Sequence, residues 1–132
     1  MRVLKARLFQ QKNMKINYKN KDLDCLTDNE RKALAELKEK ITEKYPGAKL
    51  ILYGSKARGD YNRDSDIDLL ILLDVDINSK VEDIIYGNAL LNVNKKYPNS
   101  VFSLLIESKK DWEHYKGNPF LKENIIKEGL PI

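Results

Sequence analysis

Apolar positions along this chain alternate between short unbroken runs and longer stretches at helical spacing. Leu50-Ile51-Leu52-Tyr53 is too brief for a helix and reads as a buried strand. A second strand is predicted from Asp66 to Leu73 and a third over Val101 to Ile106. Upstream, Thr27-Asp28-Asn29-Glu30 has the form of a capping box, after which Leu34, Leu37 and Ile41 recur on one helical face until Pro46-Gly47 closes the segment. A similar box at Ser79-Lys80-Val81-Glu82 opens a helix with Val81, Ile84, Ile85 and Ala89 on one side, running towards Tyr97-Pro98. Asn118-Pro119 supplies an N-cap and first helical position, Phe120, Leu121, Ile125 and Ile126 an apolar face, and Gly129 a stop. The order helix, strand, strand, helix, strand, helix predicts an α/β (α+β) fold: a small mixed sheet covered by helices on one side.

Chemistry gathers where the first two strands meet. Gly54 ends the first strand with a residue that permits a sharp turn and lets an anion approach the backbone amides. Ser55 adds a hydroxyl, and Lys56 and Arg58 add positive charge, a combination suited to a polyphosphate. Asp66 and Asp68 stand two apart at the head of the second strand, so in extended backbone both carboxylates leave the same face. Two carboxylates so placed repel each other and can hold a hard cation such as magnesium.

Gly54-Ser55, Arg58-Gly59 and Ser65-Asp66-x-Asp68 resemble the signature of the minimal nucleotidyltransferases, small members of the DNA polymerase beta superfamily. The resemblance runs from the helix near Leu26 to the terminal Asn124-Ile125-Ile126-Lys127-Glu128-Gly129 and implies a polymerase-beta-like nucleotidyltransferase fold over residues 22–132. It implies transfer of a nucleoside monophosphate, with ATP the expected donor, to an acceptor hydroxyl by two-magnesium chemistry. Asp66 and Asp68 would hold both ions, Gly54 and Ser55 would hold the β- and γ-phosphates, and Lys56 or Arg58 would offset developing charge. Arg58 is favoured because its planar fork can bond phosphate twice. A third carboxylate is implied from the next strand. Ser103 stands at the expected position, and Glu107 shares its face but lies about 13 Å further along an extended chain. Glu107 is therefore the candidate third catalytic carboxylate if the register differs, and a strand-end charge otherwise. The competing reading is a nucleotide- or partner-binding module of the same fold that has lost turnover. The resemblance also implies a candidate partner, an all-helical HEPN protein for which the chain would be the antitoxin, while the small size of the chain leaves room for a second copy in a homo-oligomer.

Composition narrows the remaining choices. At 132 residues the chain has the size of one domain, leaving no room for a separate acceptor-binding domain. No apolar stretch is long enough to span a membrane, no secretory signal is evident, and Cys25 is the single cysteine, which together predict a cytoplasmic protein without an internal disulfide. Residues 1–21 carry seven cations and no acid, more than the whole chain's net +4, so the remainder is mildly acidic. That leader reads as a solvated, poorly ordered tail rather than a nucleic-acid arm, since only Phe9 and Tyr18 offer rings for stacking on bases. Trp112 is read as cover for the sheet edge and His114 as a surface residue.

Overall fold

The structure is a computed structural model that describes residues 26–59 and 65–132. Residues 1–25, which include the basic leader and Cys25, and residues 60–64 lie outside the described residues. Helix α1 (Asp28–Lys44) begins at the predicted capping box: Thr27 Oγ1 accepts from Glu30 N at 3.1 Å, and Glu30 Oε1 accepts from Thr27 N at 2.8 Å. It leads into β1 (Lys49–Tyr53), a single helical turn α2 (Ser55–Arg58) and β2 (Ile67–Leu73). A continuous helical rod follows as α3 (Ser79–Ile84), a π-helical stretch (Ile85–Leu90) and α4 (Leu91–Lys96). Then come β3 (Phe102–Ser108), the short α5 (Lys109–Glu113), α6 (Pro119–Glu128) and a two-residue β4 (Leu130–Pro131).

The four strands form one mixed sheet in the order β3-β2-β1-β4. β1 runs antiparallel to β2 and β4, and β2 runs parallel to β3, the connection between them being the helical rod. Leu50 and Leu52 of β1 and Ile67, Leu69, Ile71 and Leu73 of β2 are buried with Leu34, Leu37 and Ile41 of α1 and Val81, Ile85, Ala89 and Val93 of the rod. This is the helix-covered side that the apolar pattern predicts. The opposite face carries a smaller cluster, in which Leu70 and Leu72 meet Ile125 and Leu121 of α6, Ile51, Tyr53, Leu105 and Trp112. Helical cover on the second side is thus an addition to the expected one-sided arrangement, made when α6 folds back so that β4 can pair with β1.

Three local details differ from the sequence reading. The rod is capped by Asn78, whose side chain accepts from Val81 N at 3.0 Å, so Ser79 is its first helical residue rather than its cap. Both side chains are good caps, and the earlier one is used. The third strand continues two residues beyond Ile106, carrying Glu107 and Ser108 within the ladder. β4 was not anticipated, because two residues give no periodicity. At the C-terminal helix the expectation holds: Asn118 Oδ1 accepts from Phe120 N at 2.9 Å, Pro119 is the first helical residue, and Gly129 ends it.

Candidate active site

The site is assembled at the end of β1 and the entrance of β2. Tyr53 is the antiparallel partner of Asp68, which brings the turn after β1 against the Asp68 carboxylate. Gly54 adopts φ 77°, ψ −158°, and a Cβ there would fall onto Asp68 Oδ2 and within 3.2 Å of its Cγ. Glycine is therefore needed twice over, for its backbone angle and for the approach of the carboxylate. Ser55 opens the following turn, which closes through Arg58 N to Gly54 O at 3.0 Å and Gly59 N to Ser55 O at 2.9 Å.

Asp66 is exposed just before β2, and Asp68 is half-buried within it. Burial, reinforced by the Asp66 charge, pushes the Asp68 carboxyl above its ordinary range, while Arg58 pulls the other way. The neighbouring Tyr53 phenol is also pushed up, by burial first and then by Asp68 and Tyr115. Two carboxylates, one partly desolvated and destabilised by the other, form a donor set that a divalent cation relieves. The chemistry of Asp66 and Asp68 thus fits such an ion. Among the described residues no group of three or more His, Cys, Asp or Glu side chains is arranged to hold a metal.

The other predicted site residues divide. Arg58 stays at the site: its influence is felt at Asp68, and its Nη1 lies 3.3 Å from Glu128 Oε2 at the end of α6. Lys56, expected to bind phosphate, is paired with an acid of α1. Its side chain is 2 % exposed, and Nζ lies 3.1 Å from Glu30 Oε2 and 3.3 Å from Glu30 Oε1. Glu30 is the N3 residue of the α1 capping box, so this lysine ties α2 to the start of α1. Glu107, the expected third carboxylate, is set apart from Asp66 and Asp68 within its own chain. In the parallel β2/β3 ladder Ser103 is the partner of Asp68 and Glu107 the partner of Leu72, four residues further on. Own-chain Glu107 is therefore on the same face as Asp68 but roughly 13 Å along the strand. There burial, and then Asp111, raise its carboxyl above the usual range.

Sequence reasoning missed Glu128 and Tyr115, which approach from the last third of the chain. Tyr115 packs on Trp112 with ring centroids 5.0 Å apart and extends the aromatic surface from Trp112 towards Tyr53. Trp112 covers the second face of the sheet, and Lys122 Nζ donates to its carbonyl at 2.6 Å. His114 is an exposed residue at the end of α5.

Residues 34–131 match the family model described as nucleotidyltransferase domain. The chain belongs to this nucleotidyltransferase family. It is thereby a transferase enzyme by kinship, of the minimal kind that its motifs resemble. It is similar to the "Putative protein adenylyltransferase MJ0604" of Methanocaldococcus jannaschii, with 38 % identity over 103 residues that cover 76 % of this chain and 95 % of that protein. Among solved structures it is similar to a nucleotidyltransferase, so named as putative, from Sulfolobus solfataricus, at 16 % identity and TM-score 0.41 over 80 % of this chain and 87 % of that one. Among the described residues of this nucleotidyltransferase no helix is long and apolar enough to cross a membrane.

Proposed function

We propose that this nucleotidyltransferase transfers AMP from ATP to a hydroxyl of an acceptor protein, using a divalent cation. The observation that carries this reading is the packing of the Asp68 carboxylate against the Gly54-Ser55 turn, which joins the cation donors and the phosphate-binding backbone in one site. The relative's name, a protein adenylyltransferase, supports the choice of adenylyl group and of a protein acceptor. In the reaction the acceptor oxygen bonds to the α-phosphorus, the bond from that phosphorus to the α–β bridging oxygen breaks, pyrophosphate leaves, and the hydroxyl proton passes to solvent.

Asp66 and Asp68 would hold magnesium, which when bound supplies neutralising charge to the triphosphate and acidifies the acceptor hydroxyl. Gly54 admits the Asp68 carboxylate against the turn, and the Ser55 hydroxyl donates to a phosphate oxygen. Arg58, already oriented towards a carboxylate oxygen of Glu128, offers the same guanidinium fork to a phosphate. The protein partner is the acceptor itself, of which a HEPN-type helical protein is the example implied by the resemblance.

The test is transfer of label from the α-phosphate of ATP, with magnesium, to components of a lysate of the native host. A labelled protein seen with the wild-type chain and absent with Asp66→Asn/Asp68→Asn supports the reading. Magnesium-dependent ATP binding without any transfer would support the second reading, a binding module without turnover. One specific observation favours that alternative: Ser103, and not a carboxylate, is the register partner of Asp68.

A further inference from the structure

The outer edge of β3 bears on the missing carboxylate. Among the described residues no strand pairs with β3 on the side away from β2. This edge is seven residues long and apolar apart from Ser103, Glu107 and Ser108, with no lysine or proline to block a further strand. The polarity of its backbone is fixed by two contacts. Val101 O accepts from Ile67 N of β2 at 2.8 Å, whereas Leu104 O accepts from the Tyr86 hydroxyl at 3.2 Å, outside the ladder. Backbone groups of alternate residues point to opposite sides of a strand, so those of residues 102, 104, 106 and 108 face outwards.

That parity restricts how a second copy could join by antiparallel pairing. Outward residues must meet outward residues, and only the twofold centred on Leu105 pairs all seven. It sets Phe102 opposite Ser108, Leu104 opposite Ile106, Leu105 opposite itself and Ser103 opposite Glu107. The edge is self-complementary: apolar meets apolar, the Glu107 carboxylate meets the Ser103 hydroxyl, and no like charges face each other. Shifting by one pair in either direction sets Glu107 against Leu105 or Val101. Leu104 O has a second lone pair, so the Tyr86 contact and the new ladder bond are compatible.

We propose that two copies of this chain pair through β3 and that Glu107 of each copy completes the Asp66/Asp68 site of the other. The proposal rests on the reading of the site as a cation-dependent transferase. Directly opposed residues of an antiparallel pair project to the same face, so Glu107 of the second copy lies on the Asp68 side of the sheet, beside Ser103. It stands two strand spacings from Asp68, about 10 Å between backbones, with only the small Ser103 side chain between. An aspartate and a glutamate extended towards each other have the reach to present their carboxylates to one cation across that gap. Within one chain the same glutamate is displaced along the strand as well as across it. The dimer thus converts an unsuitably placed carboxylate into a third donor for a site that has two of its own.

Two experiments on the full chain decide it. In a Cys25→Ser background, the double variant Ser103→Cys/Glu107→Cys is oxidised and analysed by non-reducing electrophoresis and peptide mass spectrometry. The expected product is a dimer with position 103 of one copy linked to position 107 of the other, since within one chain the two positions are too far apart to bridge. A chain that stays monomeric, or crosslinks in another register, overturns the pairing. This readout does not depend on activity, so it stands even if the wild-type chain transfers no label and the functional reading fails.

The second experiment mixes two variants in the label-transfer assay, Glu107→Gln and Asp66→Asn/Asp68→Asn, after subunit exchange. Each alone is expected to be inactive. Mixed dimers regain one complete site, giving about a quarter of wild-type activity at equal proportions. Full activity of Glu107→Gln alone, or no recovery on mixing when the wild-type chain is active, overturns the catalytic role of Glu107.

Discussion

Ile67, Leu69, Ile71 and Leu73 enter the layer made by α1 and the helical rod, whereas Asp68, Leu70 and Leu72 on the same strand face α6, Trp112 and Tyr53. The first face is sealed by aliphatic side chains from α1 and the helical rod. The second is covered only over its far part, so Asp68 stays half-buried and Ser103 exposed. The two cations of α2 divide in the same way. Lys56 turns to the sealed side and is neutralised by Glu30, and Arg58 turns to the open side and meets Glu128. A half-covered face is what a site requires: enough burial to strengthen its charges, and an opening for a nucleotide.

The largest stability effect is expected from the sealed side. Lys56→Met leaves Glu30 without its cation in a buried position and should cost about 4 kcal/mol in urea unfolding, while residual folded protein still binds ATP with wild-type affinity. Loss of ATP binding by folded Lys56→Met would return this lysine to the site. Among aliphatic residues, Leu69→Ala should cost about 3 kcal/mol and Leu70→Ala about 2 kcal/mol, because the thinner second face can collapse into the space left behind. Equal costs would mean that both faces are packed alike.

Smaller changes probe the junction of the two faces. Gly54→Ala should destabilise by roughly 2 kcal/mol through its backbone conformation alone, an extended ψ at positive φ that is essentially confined to glycine. It should also eliminate transfer, since the new methyl displaces the Asp68 carboxylate. Transfer at the wild-type rate by this variant would contradict the packing described for Asp68.

The smallest effect concerns Asp68 itself. Its folded-state pKa is raised, by burial first and by Asp66 second, so between the unfolded and folded values the native state binds more protons. Stability should therefore rise as pH falls through the folded pKa towards the unfolded one. Without divalent cations, Asp68→Asn should melt above the wild type at neutral pH, and the difference should vanish as acid protonates the wild-type carboxyl. Magnesium should raise the wild-type melting temperature and leave that of the variant unchanged. An Asp68→Asn chain that melts lower at neutral pH in the absence of cations would show that the native state gains from the charge.

Much of the layout was legible because it rests on contacts between near neighbours in sequence. Thr27 and Glu30 cap each other within four residues, Asn118-Pro119 opens α6, and the three main strands are short apolar runs bounded by turns. The Gly54-Ser55 and Asp66-x-Asp68 pattern was legible for the same reason. Ser79 was misplaced as a cap because Asn78 beside it has the same capacity. The π-helical stretch Ile85–Leu90 has no sequence signature of its own, since it keeps Ile85, Ala89 and Val93 buried as an α-helix would.

By itself, then, the sequence determined the three long helical segments and three main strands, their order, the family resemblance and the two carboxylates at the head of β2, all of which depend on backbone preference and spacing. Only the tertiary structure decided that Lys56 belongs to Glu30, that Arg58 reaches Glu128 across seventy residues, and that Ser103 and not Glu107 sits beside Asp68. Those outcomes depend on strand register and on how distant elements dock. A charge on a long side chain has several partners within reach in sequence, and it is the burial created by the finished fold that selects one of them.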